Sequence, residues 1–112
     1  MNHLRNLRPD EIATLRSQAC RADDWNQVWV PELFDIEYVN HVRFSGVVKL
    51  GAFRKIFTLP GGLVKHSGLR HVTLHNCTLG DNVLIENVQN YIANYQIGDD
   101  CFIQNINVML VE

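Results

Sequence analysis

The sequence predicts an all-β solenoid carrying an N-terminal α-helical cap. Three observations lead there. A step of six from Leu79 through Ile85, Tyr91, Ile97 and Ile103 to Met109 meets a large apolar or aromatic residue at every stop. Residues eighteen apart also match: Leu79-Gly80-Asp81 lies over Ile97-Gly98-Asp99, Ile85 over Ile103, Asn87 over Asn105, and Asn76 over Asn94. Self-similarity at a fixed period marks stacked repeats. The first third of the chain, by contrast, has no such period and opens like a helix.

The physical sense of eighteen is three short strands joined by tight turns into one three-sided coil. Each coil pairs its backbone with its neighbours about 4.8 Å away, so equivalent side chains form columns. Leu74, Ile92 and Leu110 make one such column. Asn and Gly recur at the corners because both tolerate the left-handed backbone that a sharp turn needs. A regular antiparallel sandwich also has short strands, but it predicts no column match at a constant interval.

The elements follow in order. Arg8-Pro9-Asp10-Glu11 opens a helix, with proline at its first position and acids at the positive end of its dipole. Ile12, Leu15 and Ala19 form its apolar stripe, which predicts a helix from Pro9 to Gln18 or Cys20. Residues 21–25 read as a turn or short second helix, Val28-Trp29-Val30 as a strand stopped by Pro31, and residues 32–37 as a connector. Residues 1–38 are thus a helical cap and connector, and residues 39–112 are three to four coils. Leu50-Gly51 precedes Leu79-Gly80 by 29 residues, one period and eleven more. The excess predicts a loop or hairpin near 58–68, where Pro60-Gly61-Gly62 is a turn signal. Upstream, Val42-Arg43-Phe44 parallels Val72-Thr73-Leu74. On one face the apolar residue is Val88, one place early, which predicts a distorted face. Trp25, Trp29, Phe34, Tyr38, Phe44 and Phe53 gather at the junction of cap and coils, as core or as a partner pocket.

Composition narrows the functional classes. With 112 residues, 46% of them hydrophobic and 20% charged, the chain suits one domain with its own core and not a disordered segment. A net charge of −2 leaves no basic excess for nucleic acid. No apolar run is long enough to span a membrane, and Met1–Asn6 lacks a signal peptide's apolar stretch, which predicts a cytoplasmic protein. Cys20, Cys77 and Cys101 are odd in number and form no CxxC pair, so they read as reduced packing residues.

The motif carried by Leu79-Gly80-Asp81-Asn82-Val83-Leu84, Ile85-Glu86-Asn87 and Ile97-Gly98-Asp99-Asp100-Cys101-Phe102 resembles the hexapeptide repeat of left-handed parallel β-helix proteins. That resemblance implies the left hand of the coil. Leu7-Arg8-Pro9, Val42-Arg43-Phe44-Ser45-Gly46, Leu50-Gly51-Ala52-Phe53, Leu59-Pro60-Gly61-Gly62, Thr73-Leu74-His75-Asn76-Cys77-Thr78 and Asn82 to Tyr95 are in addition similar to the start of a large uncharacterised family of Bacteroides-type bacteria, a domain of unknown function. Its members are several times longer, which implies that these residues are an N-terminal piece or a short relative.

Chemistry is sparse. The hexapeptide-repeat resemblance implies a transferase histidine near a subunit groove, for which His71 and His75 are weak candidates. An exposed or corner histidine is the blander reading. His41, His66, His71 and His75 have a spacing that could suggest zinc, and Asp81, Asp99 and Asp100 calcium, but ordinary surface histidines and turn chemistry explain both sets. No metal and no cofactor is implied. Ile106, Val108, Met109, Leu110 and Val111 are apolar where a finished solenoid is polar. The expected function is a non-catalytic structural or interaction module whose C-terminal end stacks on further coils or on a second copy, without nucleic acid or membrane. An acyltransferase- or nucleotidyltransferase-like oligomeric enzyme is the alternative.

Overall fold

The computed structural model describes residues 4–88, 91–104 and 108–110. The chain opens with a short strand, β1 (Leu4–Asn6), and then forms the α-helix α1 (Pro9–Ser17). Pro9 stands at the helix start, Asp10 and Glu11 occupy the first turn, and Leu15 is driven fully into the core. Two strands follow, β2 (Arg21–Ala22) and β3 (Val28–Pro31), with a 3-10 turn at Trp25–Gln27 between them. The Asp24 carboxylate caps that turn by accepting from the Asn26 amide at 2.9 Å. A second 3-10 turn at Ile36–Tyr38 leads into β4 (Val39–Ser45) and β5 (Val48–Lys49). The remaining strands are β6 (Ile56–Thr58), β7 (Val64–His66), β8 (Gly68–His75), β9 (Thr78–Leu79), β10 (Leu84–Glu86), β11 (Tyr91–Ala93), β12 (Gln96–Ile97), β13 (Phe102–Gln104) and β14 (Val108–Leu110).

These strands form three sheets. One has the order β1-β3-β5-β9-β12. The second runs β13-β10-β8-β11-β14, with β4 beside β8 and β2 beside β4. The third is the β6–β7 hairpin. Much of the pairing is parallel and puts repeat-related residues side by side: Leu79 with Ile97, Ile85 with Ile103, Leu74 with Ile92, and Val42 with Val72.

The expected class, an all-β left-handed parallel β-helix of three to four coils behind a helical cap, is nevertheless not the fold found. The protein is mixed α/β, with parallel and antiparallel sheets. β1 runs antiparallel to β3, and β6 antiparallel to β7. Helix α1 buries Leu15 in the same apolar cluster as Phe44, Leu74 and Ile92, so it belongs to the core. The interval between paired residues is also uneven. It is 30 between β4 and β8, 16 between β8 and β10, 18 between β10 and β13, and 17 between β11 and β14. The expected Leu74–Ile92–Leu110 column therefore breaks, because Ile92 pairs with Met109 and Leu110 with Ala93. The six-residue step sampled only the last third of the chain, where intervals happen to be near eighteen. It was blind to a helix and to strands whose partners run the other way.

Strand β8 explains part of the unevenness. It bends at His71, where φ is 54°, so its first residues pair with β10 and its last with β11. His41 bends β4 at the same place with the same φ of 54°. Ala19 and Asn87 also have positive φ and join this corner, since the His41 amide donates to Gln18 and the Asn87 amide to Arg70. Val88, expected on a distorted face, is buried and donates its amide to His71, while Gln89 lies outside the described residues.

A column of glycines marks a different contact between levels. A Cβ at Gly51 would sit 2.6 Å from the carbonyl carbon of Gly80, and one at Gly80 would sit 2.7 Å from the Asp99 nitrogen. Both are closer than real side chains come. A Cβ at Gly98 would meet nothing within 4 Å among the described residues.

The segment expected to protrude is the hairpin of residues 56–66. Lys55 and Ser67 clasp its base: the Ser67 amide donates to the Lys55 carbonyl at 2.8 Å, and the Lys55 amide donates to the buried Ser67 hydroxyl at 3.1 Å. The hairpin lays Phe57 against Phe102 and Lys65 against Glu86, while Ile56, Leu63 and Val64 remain exposed. Of the junction aromatics, Phe44 and Phe53 are buried, and Trp25, Phe34 and Tyr38 pack against them from the rim.

An ion pair fastens the start of the chain to α1. The Arg5 guanidinium grips both Glu11 oxygens at 2.7 and 2.9 Å, and the Arg8 amide donates to the same carboxylate at 2.9 Å. Arg5 chiefly, then the Arg8 amide, hold the Glu11 carboxyl below its ordinary value against the opposing pull of partial burial. A carboxyl whose value is depressed by folding stabilises the protein above the unfolded value, about 4.3, and stops doing so as pH falls through the folded one. Glu11→Gln should therefore cost about 0.5–1 kcal/mol at neutral pH, the size solvent screening leaves to such a pair. The difference should shrink as pH falls below the ordinary carboxylate range. Urea midpoints of both proteins across that range check it.

Candidate functional site

The bent corner of β4 and β8 opens a groove of about 620 Å³. Its walls are Arg21 from β2, His41 and Arg43 from β4, His71 and Thr73 from β8, and Asn87 after β10. The apolar side chains of Val42, Val72 and Val88 are buried beneath. The parallel register sets Arg21 beside Arg43 and Arg43 beside Thr73. The imidazoles of His41 and His71 stack at a centroid distance of 4.5 Å and an interplanar angle of 10°. Arg43 also reaches outward to Asp23, at 3.2 Å, in an exposed pair. Hydrogen bonds from Ser45 and then Arg43 hold the Asp23 carboxyl below its ordinary value.

His71 thus lines the groove, whereas His75 sits in a separate chain of hydrogen bonds. The Val47 amide donates to Asn76 Oδ1 at 2.9 Å, which orients the Asn76 side chain. Its Nδ2 then faces His75 Nε2 at 3.1 Å and must be the donor. The His75 proton is therefore on Nδ1, which donates to the Ser45 hydroxyl at 2.9 Å. Both ring nitrogens are occupied, and the serine is not positioned to give a proton to the histidine. The arrangement ties corners together and is not a nucleophile with its base.

The histidines considered for zinc are divided among three places. His41 and His71 stack on each other, His66 stacks on Tyr38 at 3.7 Å, and His75 bonds Ser45. No three potential metal ligands converge among the described residues. The aspartates considered for calcium hold backbone. Asp81 accepts from the Ala52 amide at 2.9 Å and Asp99 from the Asp81 amide at 2.7 Å. Asp100 stands at φ 58° near Lys55. All three cysteines are free thiols. Burial pushes the Cys20 and Cys77 thiols up, which keeps them protonated and inert.

Sequence reasoning missed the polar cluster around Glu86. This carboxylate is only 4% exposed. Sheet register places it between Arg70 and Gln104, which bond it at 3.3 and 2.7 Å, and Lys65 of the hairpin pairs with it from above. Polar residues at 70, 86 and 104, placed at intervals of 16 and 18, were the available signal.

Fold and site together define a class: a mixed α/β protein whose strands pair largely in parallel and whose bent corner carries a groove lined by arginines and histidines. The chain belongs to the family described as Domain of unknown function (DUF4954), whose match covers residues 4–112. It is also 28% identical over 103 residues to an uncharacterized protein of Treponema pallidum (strain Nichols). That match takes in 92% of this chain and 14% of the relative, so the chain spans about a seventh of the relative's length. No solved structure matches. The resemblance to an uncharacterised family is thereby supported, whereas the hexapeptide-repeat resemblance gains nothing. No helix among the described residues is long and apolar enough to cross a membrane.

Proposed function

We propose that this chain is a non-catalytic structural module, one level-forming part of a longer protein, and that its last level receives another. Gly98 carries the reading. Gly51 and Gly80 lack a side chain because the next level's backbone lies where a Cβ would be. Gly98 continues that column with φ outside the left-handed region, so its backbone conformation does not demand glycine. Room for a further backbone accounts for it. Among the described residues β12, which leads into Gly98, and β13 and β14 end their sheets, and an open edge pairs with whatever strand is offered. The small share of the Treponema relative that is matched agrees with a part of something larger. The buried free thiols of Cys20 and Cys77 suit a reducing compartment, so the module works in the cytoplasm, with neither nucleic acid nor membrane as its partner. The transferase alternative has less support, since His75 Nε2 already accepts a hydrogen bond.

In the 112-residue chain by itself, a second copy occupies that edge in an end-to-end contact. Sedimentation velocity over about a hundredfold range of concentration should show mass-action self-association. Gly98→Ala should abolish it without changing the melting temperature measured where the wild type is monomeric. A wild-type chain that stays monomeric throughout, or a Gly98→Ala chain that associates equally well, overturns the reading.

A further inference from the structure

We propose that the groove at the His41–His71 corner binds a small oxyanion ligand, a phosphate or carboxylate compound, between Arg21, Arg43 and the stacked imidazoles. The first ground is charge. Two arginine side chains occupy directly paired positions of neighbouring strands, and Asp23 offsets the charge of Arg43 from the exposed side only, so an anion in the groove would relieve their mutual repulsion. Among the described residues that line the groove there is no Asp or Glu, although the whole chain is net acidic at −2. Asp23 engages Arg43 from the exposed side and is not part of the groove wall.

The second ground is backbone. Half of the described non-glycine residues with positive φ are Asn, at 76, 82, 87 and 94, which tolerates that region. At two successive levels of this corner the residue is His, at φ 54° in both, and the two rings face each other at 4.5 Å. Histidine, like asparagine, tolerates the left-handed region, so the turn admits it, but unlike asparagine it brings two facing aromatic rings to the groove wall. The third ground is shape and donor chemistry. At about 620 Å³ the groove suits a small molecule. The Thr73 hydroxyl and the Asn87 amide add neutral donors beside two guanidinium forks suited to planar oxyanions.

The test uses the whole chain, with pyrophosphate and citrate titrated separately at constant ionic strength. The imidazole C–H signals are followed by NMR. The His41 and His71 signals should move together along one saturable curve while His66, stacked on Tyr38, stays fixed. Saturation by pyrophosphate or citrate identifies the ligand as a phosphate or a carboxylate. Arg21→Gln with Arg43→Gln should weaken the apparent affinity by about tenfold or more, as loss of charge-assisted bonds does. His41→Asn with His71→Asn keeps side chains that tolerate the corner and should weaken calorimetric binding of the same anions. Drift without saturation for both anions, drift shared by His66, or saturation unaltered in the arginine variant overturns the proposal.

Discussion

Gly80→Ala should destabilise the protein by about 3 kcal/mol, at the upper end of what overpacking costs, while Gly98→Ala should stay within about 0.5 kcal/mol. The added methyl at Gly80 meets the Asp99 nitrogen at 2.7 Å and the Gly98 carbonyl carbon at 2.9 Å. The Asp99 carboxylate, nearer still, could swing away, but these main-chain atoms of the turn after β12 cannot. Gly51→Ala should behave like Gly80→Ala, because its methyl meets the Gly80 backbone. For a domain of this size the difference is about 10–20 °C in Tm, readable by a thermal melt. The contrast isolates packing between levels from glycine's conformational entropy, which would act similarly at all three positions. Equal losses at Gly80 and Gly98 would refute the packing account.

Glu86→Ala should cost about 2–3 kcal/mol, less than the loss of a fully buried ion pair because Lys65 and Arg70 can turn their heads to water. Their side chains are 27% and 32% exposed, against 5% for Glu86. Glu86→Gln keeps the shape and a partner for Gln104 and should cost roughly half as much. Because Lys65 belongs to the hairpin, the loss should be local as well as global. Amides of Ile56–Thr58 should exchange faster in Glu86→Ala at denaturant levels that leave those of Val39–Ser45 protected. Uniform exchange across both strands would mean that the carboxylate does not hold the hairpin down. A Lys65→Met, Glu86→Gln double-mutant cycle measures the pair directly.

Both experiments rest on contacts that the sequence exposed to different degrees. The period at Gly80 and Gly98 was legible but its cause was not, because neither has the left-handed backbone expected of a corner, and it is the approach of backbone to backbone that admits one residue type. The pairings of Leu79 with Ile97 and Ile85 with Ile103 were visible, since each must be apolar to fill the interior. The Glu86 cluster was not, because its partners arrive from strands at unequal intervals and from a hairpin. Side chains there are chosen for charge balance, which has no period.

The same limit explains the mistaken fold class. A repeat reports on the strands that obey it and is silent on the others. Leu4–Asn6 carries too short a pattern to announce an antiparallel partner at Trp29–Pro31. Helix α1 was legible from Pro9 and its acidic first turn, but its burial beside Phe44 was not, since an apolar stripe does not name what it faces. His71 was noticed for its chemistry and His41 for its spacing. The parallel of Val42-Arg43-Phe44 with Val72-Thr73-Leu74 already set His41 thirty residues before His71, but the positive φ that brings both rings into one stack left no trace in the pattern.

The clasp between Lys55 and Ser67 makes the hairpin a socketed part. Both ends of the excursion are pinned within hydrogen-bonding distance, so the strands on either side do not sense how many residues lie between. Lengthening it would cost only the slowly growing entropy of a larger loop, about 0.6 kcal/mol per doubling. Shortening it would uncover Glu86 and Phe102. Variation in this protein is thus free to run outward from one fixed doorway, and is constrained by what the doorway shelters.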